Sequence, residues 1–533
     1  MAQGPANSTG LARRHFLKTF SMAGSIAGAV TGGLMGTSAA SAYAEHASAT
    51  KTNGAATSAQ DITQLSALAL SAAIRTRQVS CVEVMSAYLA QITQLNPTYN
   101  AIVSLADPES LLEQAETADT ALKAGRYAGW MHGFPHAVKD LANVAGFVTS
   151  KGSPLYAHQR ADGDDIFVAR IKAAGAIMTG KTNTPEFGLG SQTYNQVFGA
   201  TLNPWDGQST VGGSSGGAAA TLALHMAPVA DGSDLMGSLR NPAAYTNVIG
   251  FRPTPGRVPL TPLFIEELPC NGPMGRTVRD TAMLLSTMAG YDQRSPTSLT
   301  NDPMQFTHNL ARDWRGTRIG WLGNFAGYLP MEPGVLSLCE TALDSFRTIG
   351  CVVDEAIIDF PMDSLWQVWL TFRHWLVAGM RQHDYADPAR RAQLKPECLW
   401  EIEGGQQLDA QSIFNASVER ARFYTALLTL LERFDFLVLP AAQVFPFDAS
   451  IPWPKEIAGH QMDTYHRWME IVVPGTLSGC PIAAVPAGFS PKGLPMGLQI
   501  IGPRFKDFAT LQMAYAYEQA SRWNLDYHPK SIN

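Results

Sequence analysis

Apolar residues recur at three- and four-residue steps over 62–74 and again over 82–92, a period that predicts two amphipathic helices, with Asn96-Pro97 ending the second. A third helix is expected over 110–123. Short apolar runs at 135–139 and 176–179 read as strands on either side of a helical stretch at 166–174, and a further helix is expected over 218–225. Near the C-terminus, 482–486 and 497–503 read as strands and 508–521 as a closing helix. Helices alternating with short, uniformly apolar runs predict an α/β architecture with a largely buried sheet. No internal repeat is evident. Residues 291–430 differ in character, rich in Trp, Arg and Gln with few turn signals, and are expected to be a mostly helical, variable region that shapes a substrate pocket.

Composition bounds the answer without naming it. With 533 residues and 46% hydrophobic content, the chain can bury a large core as one big α/β domain or as two to three ordinary ones. Residues 11–44 have the features of an export signal: Ala12-Arg13-Arg14-His15-Phe16-Leu17-Lys18, an uncharged Ala/Gly-rich stretch, and Ala42-Tyr43-Ala44 as a small-residue cleavage site. The paired arginines followed by Phe-Leu-Lys fit the twin-arginine type, which implies a periplasmic or extracellular location. A basic arm on a cytoplasmic protein is the duller reading, and the absence of any acid before Glu45 argues against it. Residues 45–60 are Ala/Ser/Thr-rich and read as a flexible leader to a domain over 61–533.

Loss of 1–44 removes three positive charges and no acid, taking the net charge from −6 to −9. An acidic surface repels phosphate, so no nucleic-acid partner is expected. Past the signal there is no run of ~20 apolar residues, so no membrane span is expected after processing. The six cysteines show no CxxC spacing and are expected to be buried free thiols. The twin-arginine route carries chains already folded in a reducing compartment, which argues against a disulfide-dependent fold.

The most informative stretch is Thr210-Val211-Gly212-Gly213-Ser214-Ser215-Gly216-Gly217-Ala218, followed by Asp234-Leu235-Met236-Gly237-Ser238-Leu239-Arg240. Ser214 and Ser238 stand 24 positions apart in glycine-rich backbone, and Lys139 in Pro135-His136-Ala137-Val138-Lys139-Asp140 lies 75 positions before Ser214. Gly180-Lys181-Thr182-Asn183-Thr184-Pro185-Glu186-Phe187, Asn203-Pro204-Trp205-Asp206, Gly250-Phe251-Arg252-Pro253, Gly272-Pro273-Met274-Gly275-Arg276-Thr277 and Gly493-Leu494-Pro495-Met496-Gly497 follow in order. Together these segments closely resemble the amidase signature family, densely over 62–290 and more thinly over 435–520.

The resemblance implies a single large α/β domain, a mixed sheet covered by helices on both sides. Its catalytic core would span 62–290, the variable helical region 291–430, and a C-terminal sheet and helix 431–533. It also implies an amidohydrolase with Ser238 as nucleophile, Ser214 as a bridging serine on a cis peptide, and Lys139 as base. Backbone N–H groups of Leu235, Met236, Gly237 and Ser238 would form the oxyanion hole, and no cofactor or metal is needed. The partner expected is a small-molecule amide; a homodimer is compatible with the sequence.

The chemistry is consistent with these parts. A serine hydroxyl attacks a carbonyl only when a base removes its proton, and a lysine can do so only when neutral. Free lysine has a pKa of about 10.4, so Lys139 must be desolvated, and Val138 in an apolar strand suits that. Asp140 is expected to face the other side of the strand. Asp234 and Arg240 bracket the nucleophile loop and are expected to fix it. Two positions depart from the family pattern: Met236 replaces a glycine beside the oxyanion hole, and His136 stands where an aliphatic residue is usual.

Three decoys are set aside. Gly175 to Thr182 matches the Walker A string, but its four spacer residues are themselves an apolar strand run and Pro185 disfavours an immediate helix. Gly213-Ser214-Ser215-Gly216-Gly217 fits the G-x-S-x-G elbow but needs a downstream Asp and His that nothing singles out. His132 and His136 stand four apart like helical metal ligands, but Gly133 and Pro135 break any helix between them.

Rival functions are an esterase on the same triad, a catalytically silent binding protein, and a component of a transamidation complex, which the export signal disfavours. Trp366, Trp369, Phe372, Trp375 and Tyr465 read equally well as an apolar acyl or aryl pocket and as core.

Overall fold

Ser58 and Asp61 close a capping box on the helix Ala59–Gln64, so regular structure begins slightly before the apolar period does, inside the expected leader. The computed structural model describes residues 58–260 and 268–532; the expected signal over 1–44 and most of the leader lie outside the described residues. Ser66 caps a second helix, Ala67–Arg75, by accepting from Ala69 N–H, and this divides the single helix expected over 62–74. The next helix, Cys81–Tyr99, starts on a Ser80/Glu83 capping box and runs through Pro97. It stops instead at Asn100, in the left-handed region at φ 50°, and Asn96 Oδ1 accepts the N–H groups of Ala101 and Ile102. Pro97 lies too close to that end to break the helix.

Eight strands form the main sheet in the order Val352–Glu355, Arg318–Trp321, Phe436–Pro440, Pro495–Ile501, Ile482–Phe489, Ile249–Arg252, Cys270–Gly275 and Val229–Asp234. The first three are parallel and all later pairings antiparallel, so the sheet is mixed, as expected. Every residue of Pro495–Ile501 and Phe436–Pro440 is buried, which is why these segments read as continuous apolar runs. The region 291–430 is helical over Met362–Ala386, Pro396–Gln406 and Ala410–Leu431, but it also supplies Arg318–Trp321 and Val352–Glu355, the two strands at one sheet edge.

The opposite edge positions the site. Pro135–Lys139 belongs to a separate three-stranded sheet, parallel to Ile177–Thr182, which pairs antiparallel with Ile102–Val103. It lies against the edge strand Val229–Asp234, and the helix Gly216–Ala223 packs on both. That helix approaches so closely that a Cβ on Gly217 would stand 2.3 Å from Asn183 N, which leaves room for glycine alone. Where the two sheets meet, Lys139, the Gly213–Ser215 loop and the turn after Asp234 converge.

Candidate active site

Lys139 ends its strand with 1% of its surface exposed, and its Nζ is surrounded by three hydroxyls. Ser214 Oγ lies at 2.8 Å, Ser215 Oγ at 2.8 Å and Ser233 Oγ at 2.9 Å. Burial pushes the lysine down to about 7, against the opposing pull of Asp231 and then Asp234. Three partners satisfy the three hydrogens of an ammonium and equally the two N–H donors and one lone pair of a neutral amine, the form a base requires. Ser215 Oγ donates to Ser233 O at 3.2 Å, so it receives one amine hydrogen. That leaves one N–H and the lone pair for Ser214 and Ser233.

The Gly213–Ser214 peptide is cis, and the helix beginning at Gly216 takes the chain directly away from it. Both serines of the pair contact the lysine at the same distance, but Ser214 carries the cis bond assigned to the bridging residue. A Cβ on Gly188 would stand 3.2 Å from Ser214 Oγ, so the turn Glu186–Gly188 forms the near wall at this hydroxyl.

Ser238 sits in the turn between Val229–Asp234 and the short helix Arg240–Thr246, with 6% of its surface exposed. The turn is tied to the serine loop through the backbone, Ser215 N–H donating to Ser238 O at 3.2 Å. Among the described residues no hydrogen bond reaches Ser238 Oγ, so the structure brings Lys139 onto Ser214 but forms no hydroxyl–hydroxyl bond between Ser214 and Ser238.

Asp234 and Arg240 do lock the turn. The guanidinium meets the carboxylate twice at 3.0 Å, and its remaining hydrogens reach Val472 O at 2.8 Å, Gln499 Oε1 at 2.7 Å and Thr476 Oγ1 at 2.7 Å. Arg252 joins from Ile249–Arg252, one strand beyond Cys270–Gly275 in the same sheet, 3.3 Å from Asp234 Oδ1. Burial pushes the Asp234 carboxyl up, but the two arginines outweigh it and hold the group well below the usual carboxylate range. The carboxylate also accepts from Leu239 N–H at 3.1 Å and from Gly237 N–H at 2.9 Å.

This last bond corrects one expectation. Gly237 N–H is already committed to Asp234, whereas the N–H groups of Leu235, Met236 and Ser238 have no backbone or side-chain acceptor among the described residues. The Met236 side chain is 4% exposed and packs in the main hydrophobic core. Gly237, at φ +78°, lies against Val472, where a Cβ would come within 2.9 Å of Cγ2.

Asp140 turns away from the lysine amine, as expected, and pairs with Lys181 Nζ at 3.4 Å. Lys181 stands on the strand Ile177–Thr182, and the segment matching Walker A is therefore strand throughout its second half. His132 accepts from Ala128 N–H at 3.1 Å and meets Ala118 O at 3.0 Å, while His136 meets Asp231 at 3.0 Å. Trp366, Trp369 and Phe372 are in the main core, each 2% exposed or less. All six cysteines are buried and unpaired. Ser215, Ser233 and Asp231 were not singled out from sequence, because nothing in the chain distinguishes a serine or aspartate facing the lysine from one in an ordinary turn.

A family model described as Amidase matches residues 83–511. The chain is 32% identical over 471 residues to an acylamidase of Rhodococcus erythropolis, a match covering 87% of this chain and 97% of that one. Among solved structures, a bacterial aryl acylamidase of the amidase signature enzymes superposes with a TM-score of 0.80 at 29% identity, covering 86% of this chain and 97% of that one. A peptide amidase from Stenotrophomonas maltophilia superposes with a TM-score of 0.75 at 25% identity, covering 89% of this chain and 100% of that one. The chain belongs to the amidase signature family. It is an amidase, an enzyme that hydrolyses carbon–nitrogen bonds.

Proposed function

We propose that this amidase cleaves carboxylic amides bearing an apolar or aromatic group, through an acyl-enzyme on Ser238. Neutral Lys139 takes a proton from Ser214, Ser214 takes one from Ser238, and Ser238 Oγ bonds to the amide carbonyl carbon. The proton then passes to the leaving nitrogen as the C–N bond breaks, and water releases the acyl group by the same relay. The negative oxygen is received by the N–H groups of Leu235, Met236 and Ser238.

The observation that carries this reading is the buried Lys139 amine, 2.8 Å from Ser214 Oγ and shifted down to about 7. Closure of the Ser214–Ser238 gap is left to the bound substrate, since hydrogen bonds of this kind are often long in unliganded sites.

The substrate class rests on the near wall. A cavity of about 320 Å³, lined by Glu186, Tyr194, Lys395, Pro396, Pro452 and Trp453, adjoins the turn whose Gly188 faces Ser214. Trp453 meets Tyr465 edge-on at 6.3 Å, and Tyr465 stacks on His466 at 4.4 Å. Amine release from amides with alkyl, aryl and charged acyl groups tests the proposal. Apolar and aryl amides are expected to be turned over by the wild type and not by Ser238→Ala; equal release by the two proteins would refute the assignment.

The paired arginines, Arg13 and Arg14, support export by the twin-arginine route. Replacement of both by lysine is expected to keep the enzyme in the cytoplasm, and unchanged periplasmic activity would count against that location.

A further inference from the structure

His136 and Asp231 form a buried polar pair directly behind the lysine, and the amide-cleaving chemistry as written does not use them. They are 0% and 1% exposed, and His136 Nε2 lies 3.0 Å from Asp231 Oδ1. The other carboxylate oxygen, Oδ2, accepts from the backbone N–H of Lys139 at 3.2 Å. Asp231 and Ser233 alternate on the strand Val229–Asp234, so one face presents a carboxylate to the lysine's backbone and a hydroxyl to its amine.

The protonation states follow from the partners. An ionised carboxylate only accepts, so Oδ1 must receive a hydrogen from Nε2. His136 Nδ1 is buried with no partner among the described residues, and a hydrogen there would be a stranded donor. Nε2 therefore carries the hydrogen shared with Oδ1, and the carboxylate is held beside the lysine's strand.

The other charged groups nearby are already matched or differently placed. Asp234 is held by Arg240 and Arg252, Lys181 pairs with Asp140, and Asp165 receives only the weak field of the pair. Of the two carboxylates that oppose the effect of burial on Lys139, Asp231 acts more strongly than Asp234.

We propose that Asp231, held in place by His136, is a positioning residue whose charge balances the Lys139 ammonium formed each time the lysine takes the serine proton. The inference rests on Lys139 acting as the base. The resting amine tolerates the nearby anion because burial keeps it neutral, and the same anion becomes favourable once the amine is charged. His136 acts one step further out, by supplying the hydrogen bond that holds the Asp231 carboxylate against the lysine's strand.

The pH dependence of kcat/KM for a soluble aryl amide, measured on the full-length enzyme, tests this. In Asp231→Asn the acid limb is expected to move down by about one unit, because removing a nearby anion disfavours the charged amine, and kcat to fall about tenfold. His136→Leu should shift the limb in the same direction, since a carboxylate that loses this partner is free to turn away from the lysine. His136→Gln, which restores an N–H near the Nε2 position, should titrate within ~0.3 unit of wild type. This His136 pair of variants decides the matter if Asp231→Asn does not fold. An unmoved or upward-shifted limb in Asp231→Asn and His136→Leu overturns the proposal while leaving Lys139 as the base. A fully active Lys139→Met overturns both.

Discussion

A lysine becomes useful as a base only to the extent that its surroundings refuse its charge. Burial does this for Lys139, bringing it to about 7, with Asp231 and Asp234 pulling the other way. Because the neutral form is the active one, kcat/KM is expected to rise with pH through about 7 and then level, and Lys139→Met to lose ~10² to 10⁴ of activity along with that limb. A wild-type profile flat from acid to alkaline pH would contradict this.

At this scale the sequence was informative where a residue type and its spacing coincide with a family pattern, as for Lys139 and Ser214, which the structure brings into contact. It was silent on Ser233 and Asp231, because Val-Ala-Asp-Gly-Ser-Asp lacks an apolar alternation and, after Val229, is dominated by Asp and Gly, which disfavour strands. Its extended form is imposed by pairing with Cys270–Gly275, a tertiary effect that local pattern cannot carry.

The element that matters most is the turn between Val229–Asp234 and Arg240–Thr246. One fully buried guanidinium joins it to Val472, Thr476 and Gln499, so the turn is held by the C-terminal part of the chain as well as by its own strand. Arg240→Met is expected to cost about 3 to 5 kcal/mol, since it strands part of the buried Asp234 charge. Urea unfolding measures the loss, and a change below ~1 kcal/mol would show that Arg252 alone suffices.

The helix expected over 110–123 is present as Pro108–Lys123, its C-terminal end as read and its start two residues earlier, behind the Asp107 cap. Element boundaries were missed where a single polar residue decides: Ser66 divides one expected helix, and Asn100 rather than Pro97 ends another. The Gly237 N–H went astray for the same reason, since a side chain three residues back, Asp234, competes for it.

Across the whole molecule, the main sheet joins segments far apart in sequence, from Val229–Asp234 at one edge to Val352–Glu355 at the other. The α/β class was readable from uniformly apolar strands. The contribution of 291–430 to the sheet was not, because Arg318–Trp321 and the edge strand Val352–Glu355 are four residues each, partly exposed and with no clear period. Burial also pushes the thiols up, Cys81 to about 12 and Cys270 to about 11. A thiol reagent is therefore expected to leave the native enzyme unmodified and to find all six cysteines after denaturation. Fewer than six in the denatured, unreduced chain would reveal a disulfide.

The account depends above all on which hydroxyl attacks. Treatment with a fluorophosphonate followed by peptide mapping answers that directly. A single adduct on the peptide carrying Ser238, absent in Ser238→Ala and strongly slowed in Lys139→Met, is the predicted result; an adduct on Ser214 or Ser215, or undiminished labelling of Ser238→Ala, would contradict it.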